Sequence, residues 1–133
     1  MQYMRKEMEG LSRKDRLWMH SMRTCRKYCG CHQMPDRSFF IGEYQFPLCA
    51  RCTGIVIGHI LGLAVSAFHA VSFMSLLGTL PLMIDGTVQK FTSYESTNGR
   101  RLFTGILYGF GMMSAFIRGV KAFILWANER GGR

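Results

Sequence analysis

Cys31-His32, sixteen further residues and then Cys49-Ala50-Arg51-Cys52 gather three thiols and an imidazole within a short stretch. Directly behind them, Thr53 to Ile84 contains no Lys, Arg, Asp or Glu. Bulk lipid needs only carbon, so soft ligands at the entrance of an apolar segment are there to hold a metal, attack a substrate or cycle redox state. Two thiolates three residues apart chelate one ion through a turn, and Cys31 with His32 closes a tetrahedral Cys3His set. Zinc suits reduced thiolates plus imidazole. Neighbouring side chains diverge, so Cys29 with Cys31 is the alternative pair. A closed set makes the zinc structural, whereas an open position leaves water on the metal and permits hydrolysis.

Nucleophilic chemistry is the competing reading. Cys52 opens a helix beside Arg51, and helix N-termini and guanidiniums both favour a thiolate. His32 or His59 would serve as base and Arg100 as oxyanion partner, which makes Cys52, Asp85 and Arg100 the catalytic candidates. Redox work fits poorly, because no thioredoxin-like strand precedes the Cys-x-x-Cys element.

These residues need elements to position them. The 133 residues carry a formal net charge of +9, yet 48% are hydrophobic and the mean hydropathy is +0.06. Of 17 Lys and Arg, nine precede Phe39. A basic head on an apolar body faces anionic headgroups, and no nucleic-acid recognition motif is present, so nucleic acid is not the expected partner. Residues 1 to 30 lack the apolar run of a signal peptide. An odd count of five cysteines argues against a secreted disulfide scaffold.

Met4, Met8, Leu11, Asp15, Trp18, Met22, Cys25 and Cys29 follow alternating steps of four and three, a stripe interrupted only by Asp15. Ser12 with Asp15 reads as a variant capping box, so a basic amphipathic helix is expected from Ser12 to about Tyr28. It would lie on a leaflet or pack on a bundle. Pro35, Gly42 and Pro47 punctuate the next stretch, with Ser38–Ile41 and Glu43–Phe46 as short extended pieces. Three membrane helices follow: Thr53 to about Ala70, Phe73 to Gln89 with Pro81 as a kink, and a run starting after Arg101. Gly54, Gly58 and Gly62, then Gly105, Gly109 and Gly111, form small-residue strips for close helix approach. His59 is expected as a hydrogen-bonded packing residue.

Both the head and the 90–101 loop are basic, while the connection near residues 69–74 is not. The positive-inside rule therefore sets the amino terminus in the cytoplasm of a multi-pass membrane protein. One end of the bundle then collects Arg51, Asp85, Gln89, Asn98 and Arg100. Asp85 needs a cation there, from Arg51, Arg100 or Arg101. Guanidiniums match phosphate geometry, so this pocket would bind an anionic lipid headgroup or phosphorylated small molecule.

Cys31-His32-Gln33-x-Pro35-x-Arg37-Ser38-Phe39, followed by Pro47-x-Cys49-Ala50-Arg51-Cys52-Thr53-Gly54-Ile55, resembles the small prokaryotic membrane proteins of domain-of-unknown-function family 2085. Pro81-Leu82-x-Ile84-Asp85-Gly86-x-x-Gln89 and Glu95-Ser96-x-Asn98-x-Arg100 resemble it too. The resemblance runs from Cys31 to Gly109 and implies an integral membrane protein, with no reaction attached. Cys52-Thr53-Gly54 and Asn98-Gly99-Arg100-Arg101 also resemble elements of exosortase-type membrane transpeptidases, although the order of the histidine differs.

The expectation is an all-α membrane protein in three parts. Residues 1–30 form the basic helix, 31–52 the metal-binding loop and 53–127 a three-helix bundle. Cys31, His32, Cys49 and Cys52 hold zinc beside a pocket of Arg51, Asp85, Gln89, Asn98 and Arg100. The alternatives are a cysteine peptidase or transpeptidase, and a structural subunit meeting a membrane-protein partner or its own copies.

Overall fold

The computed structural model describes residues 11–69 and 71–131, so Met4 and Met8 of the apolar stripe lie outside the described residues. The described chain is mostly helical, and it divides into two compact units at the Cys49/Ala50 boundary.

Helix α1 (Arg13–Cys29) opens the first unit. Ser12 caps it: its hydroxyl accepts from the Lys14 N–H at 3.4 Å, and Asp15 accepts from the Ser12 N–H at 3.2 Å. This is the capping box read from the sequence. Gly30 closes the helix at φ 60°, a left-handed conformation that glycine adopts without a Cβ clash. A 3-10 turn at Pro35–Arg37 leads to an antiparallel hairpin of β1 (Ser38–Ile41) and β2 (Tyr44–Cys49). Gly42, at φ 62°, takes the first position of its two-residue turn. The register is Ile41↔Tyr44 and Phe40↔Gln45 but Ser38↔Cys49, so the ladder is irregular between Ser38 and Phe40. Pro47 lies opposite that irregularity and has no N–H to donate, which accounts for the interruption.

Asp15, the polar break in the stripe, is used twice. Besides capping α1, it accepts the Tyr44 hydroxyl at 2.6 Å, while Trp18 Nε1 donates to the Gln45 carbonyl at 2.7 Å. The Trp18 and Tyr44 rings meet at 5.8 Å. Helix α1 therefore docks on β2 through polar contacts as well as apolar ones, and none of its residues is fully buried.

The second unit contains α2 (Ala50–Phe68), a 3-10 segment (Phe73–Thr79), α3 (Leu80–Phe91) and α4 (Asn98–Gly131). Its core is made of backbone. A Cβ on Gly54 would strike the Leu102 carbonyl, one on Gly58 the Ile106 carbonyl, and one on Gly62 would lie 2.9 Å from the Phe110 carbonyl. Gly105 and Gly109 face the Arg51 and Ile55 carbonyls in return. Partner numbers rise together, so α2 and α4 run parallel in glycine-lined contact, the geometry available where lipid removes the hydrophobic drive. His59 Nδ1 lies 2.7 Å from the Ile55 carbonyl, the hydrogen-bonded role expected of it.

The run between them differs from its expectation. Phe73–Thr79 is 3-10, and only Leu80–Phe91 is α-helical. Pro81 sits in the first turn of α3 rather than at a kink, because a residue without an N–H is tolerated where that N–H has no helical partner. Among the described residues, two helices are long and apolar enough to cross a membrane, α2 and α4. The expected middle membrane helix is thus replaced by a composite segment. It runs antiparallel to α4: Gly111 faces the Ser75 carbonyl and Gly78 the Leu107 carbonyl. The two-stranded hairpin qualifies the all-α expectation in the same way.

Candidate metal centre and the neighbouring polar layer

Strand β2 ends at Cys49 and α2 begins at Ala50, so Cys49 and Cys52 sit on the turn where extended chain becomes helix. Cys31 follows the left-handed Gly30 that ends α1. The Sγ atoms of Cys31, Cys49 and Cys52 all lie within 4.8 Å of one another. Sulfurs about 2.3 Å from a tetrahedral zinc are about 3.8 Å apart. Closing these thiols on one ion therefore needs side-chain movement of at most about an ångström. Cys31 is 3% exposed, and its sulfur accepts the Cys49 backbone N–H at 3.2 Å. Such outer hydrogen bonds orient the ligands of metal sites. His32 is exposed and is not in the three-thiol group.

The loop carrying Cys31 is held by the amide side chains of Gln33, which the sequence reading named only within the family motif, and Gln45, which it did not name. Gln33, at φ 52°, donates through Nε2 to the carbonyls of Met22 and Pro47 at 2.7 and 2.8 Å. Gln45 Nε2 donates to the Gln33 carbonyl at 2.8 Å and to Ser38 Oγ at 3.1 Å. Two glutamines thus tie the loop to α1 and to the hairpin. The signal for Gln45 was its polarity between Tyr44 and Phe46, and that for Gln33 its place in the motif beside Cys31. The other two cysteines form a second pair on the last turns of α1. Burial, then the hydrogen-bonded Cys29 thiol, raises the Cys25 pKa above its ordinary value.

In the second unit, Arg51 Nη2 meets Asp85 Oδ2 at 2.7 Å, and Gln89 Nε2 donates to the same oxygen at 2.7 Å. Arg101 continues the chain, donating to Gln89 Oε1 and to Asn98 Oδ1, each at 3.3 Å. Of the residues expected in the pocket, Arg51, Asp85, Gln89 and Asn98 come together. Arg100 is exposed and donates instead to the Tyr94 hydroxyl at 2.5 Å. Arg101, only 5% exposed, takes the inner position. It lies four residues before Gly105 and eight before Gly109, on the packed face of α4, so the glycine strip carried the signal. A Cβ on Gly86 would lie 3.8 Å from Arg51 Nη1, an ordinary contact, so the layer itself does not require glycine there.

Comparisons agree with the membrane character of this geometry. The chain is 36% identical over 88 residues to the uncharacterized protein MJ1492 of Methanocaldococcus jannaschii, covering 60% of this chain and 56% of that relative. It is 35% identical over 88 residues to an uncharacterized protein of Methanothermobacter thermautotrophicus, covering 62% and 79%. The chain thus spans about half the length of the first of these relatives. No solved structure matches. Residues 31–115 match the model of a predicted membrane protein family, and they contain the three-thiol group and the whole polar layer. The chain belongs to that family, domain of unknown function 2085.

Proposed function

We propose that this membrane protein crosses the bilayer three times, with its amino terminus cytoplasmic, and holds one zinc ion where the first crossing begins. The observation carrying the metal reading is the approach of the Cys31, Cys49 and Cys52 sulfurs to within 4.8 Å of one another. His32, adjacent to Cys31, supplies the fourth ligand by turning inward. Zinc bound to four protein ligands adds folding energy and leaves no open position, so its role is structural. Cys52 then acts as one of a set rather than as a lone nucleophile. With its guanidinium engaged by Asp85, Arg51 fastens the bundle instead of binding an anionic guest.

Helix direction supports three crossings. Two membrane helices that run parallel need the chain to return between them. The 7 residues of 3-10 helix at about 2.0 Å each and the 12 of α3 at about 1.5 Å each reach about 32 Å, against a hydrocarbon core of about 30 Å.

Two experiments test this. Zinc content of detergent-purified protein is expected at one ion per chain, none in Cys49→Ser and weakened retention in His32→Ala; full retention in His32→Ala would reject the fourth ligand. Membrane-impermeant maleimide on single cysteines in a background without native thiols tests topology. Ser72→Cys and Ser93→Cys are expected on opposite faces, and labelling from one face would remove the middle crossing.

A further inference from the structure

The end of the second unit opposite Cys52 contains a cleft of about 340 Å³ between the C-terminal part of α2 and the middle of α4. Arg118 and Lys121 line it together with Ser66, Ser114, Ile117 and Leu125. The two cations are held in place. Lys121 Nζ donates to the Ser66 carbonyl at 2.7 Å, and Arg118 Nη1 donates to the Val71 carbonyl at 2.9 Å while its guanidinium lies 4.8 Å from the Phe73 ring centroid. Each keeps further N–H donors beyond that one bond. Among the described residues neither has a carboxylate partner. The two serines are orphaned: Ser114 is 1% exposed and Ser66 3%, and neither Oγ has a hydrogen-bond partner. A buried hydroxyl left unpaired carries a desolvation cost, which a ligand entering the cleft would remove.

We infer that this cleft binds a phosphate-bearing anionic ligand, the headgroup of an acidic lipid. The guanidinium and ammonium supply charge and several donors, and a phosphate oxygen accepts from them and from the serine hydroxyls. Ile117 and Leu125 supply an apolar wall along which an acyl chain leaves. Basic pockets between membrane helices recognise acidic headgroups by this combination. The assignment is independent of the zinc reading and needs only the membrane placement. Under the proposed orientation, which the assignment does not need, it also gives a reason for basic residues at the bundle end away from the cytoplasm.

The test uses full-length protein stripped of lipid in detergent, with binding followed by native mass spectrometry and thermal shift. The probes are phosphatidylglycerol, phosphatidylcholine and glycerol phosphate. One phosphatidylglycerol per chain is expected, at least tenfold tighter than phosphatidylcholine and lost in Arg118→Gln/Lys121→Gln. Those residues also cap carbonyls, so Ser114→Ala is the second variant. It removes a hydroxyl with no internal partner, and we expect unchanged or slightly higher melting without lipid but several-fold weaker phosphatidylglycerol binding. Phosphatidylglycerol binding without glycerol phosphate binding assigns the membrane lipid as source; equal binding of both upholds the site and assigns the free phosphate ester. Equal binding of both lipids, or unchanged phosphatidylglycerol binding in Ser114→Ala and in the double variant, would overturn it.

Discussion

The Cys49 backbone N–H points at the Cys31 sulfur from 3.2 Å, joining the loop after α1 to the last residue of β2. Cys31 is buried, Cys49 and Cys52 are half-buried, and Cys29 is exposed. Labelling should follow that order. In native protein a maleimide is expected to modify Cys29 first. Cys25 should react more slowly, because burial and the neighbouring Cys29 raise its pKa and so deplete its thiolate. Cys31, Cys49 and Cys52 should react only after a strong chelator is added. Mass-spectrometric site mapping checks this, and identical labelling of all five thiols with and without chelator would contradict it.

The Arg51–Asp85 pair leaves 28% and 12% of its two side chains exposed. Removing one partner from such a pair strands the other, at a cost of about 3–5 kcal/mol when burial is complete and less here. Asp85→Leu and Arg51→Met are each expected to lower the melting temperature clearly in detergent. The double substitution should lose less than the sum of the two. Additive losses would show that the two residues do not act as a pair.

Gly58 and Gly109 each sit against helix backbone that cannot move aside. Alanine at either position is expected to cost about 3 kcal/mol or more, in line with overpacking in a tight core. Gly119 has nothing within 4 Å of an added Cβ, and it lies inside α4. Gly119→Ala should therefore be neutral or stabilising by up to about 1 kcal/mol. Thermal melts of the three variants side by side check the contrast, and equal effects would remove the glycine interface from the account.

The Tyr44 hydroxyl donates to Asp15, and that bond raises the Tyr44 pKa above 10.0. The protonated phenol is the form that holds α1 on β2. Its contribution is complete below the unfolded value of about 10 and is lost as pH rises through the higher folded one. Trp18 fluorescence, read in a Trp126→Phe background, is expected to shift as the pH passes above 10. Tyr44→Phe should lose the bond at every pH and shift fluorescence already at pH 7; a wild-type signal there would contradict the contact.

Local chemistry was legible where one residue type has one use. Ser12 with Asp15 announced a helix start, Gly42 a tight turn, and the four-residue spacing of Gly54, Gly58 and Gly62 a backbone contact. The partner of that strip was also readable, because Gly105 and Gly109 repeat the spacing on the last helix. Choices between neighbours were harder. Arg100 and Arg101 differ by about 100° around a helix, and only the phase of the glycine strip selects Arg101 for the inner layer. The middle apolar run read as continuous because composition does not separate a 3-10 segment from an α-helix. Pro81 marked the true start of α3, since proline in a first helical turn and proline at a kink look alike in sequence. The loop-holding roles of Gln33 and Gln45 were missed because amides that satisfy loop carbonyls follow no periodic pattern.

Zinc K-edge X-ray absorption on the purified full-length protein tests the central claim most directly. Three sulfur neighbours at about 2.3 Å and one nitrogen at about 2.0 Å are expected around a single zinc per chain. A metal-free preparation that is fully folded, or a zinc shell of oxygen and nitrogen alone, would contradict it.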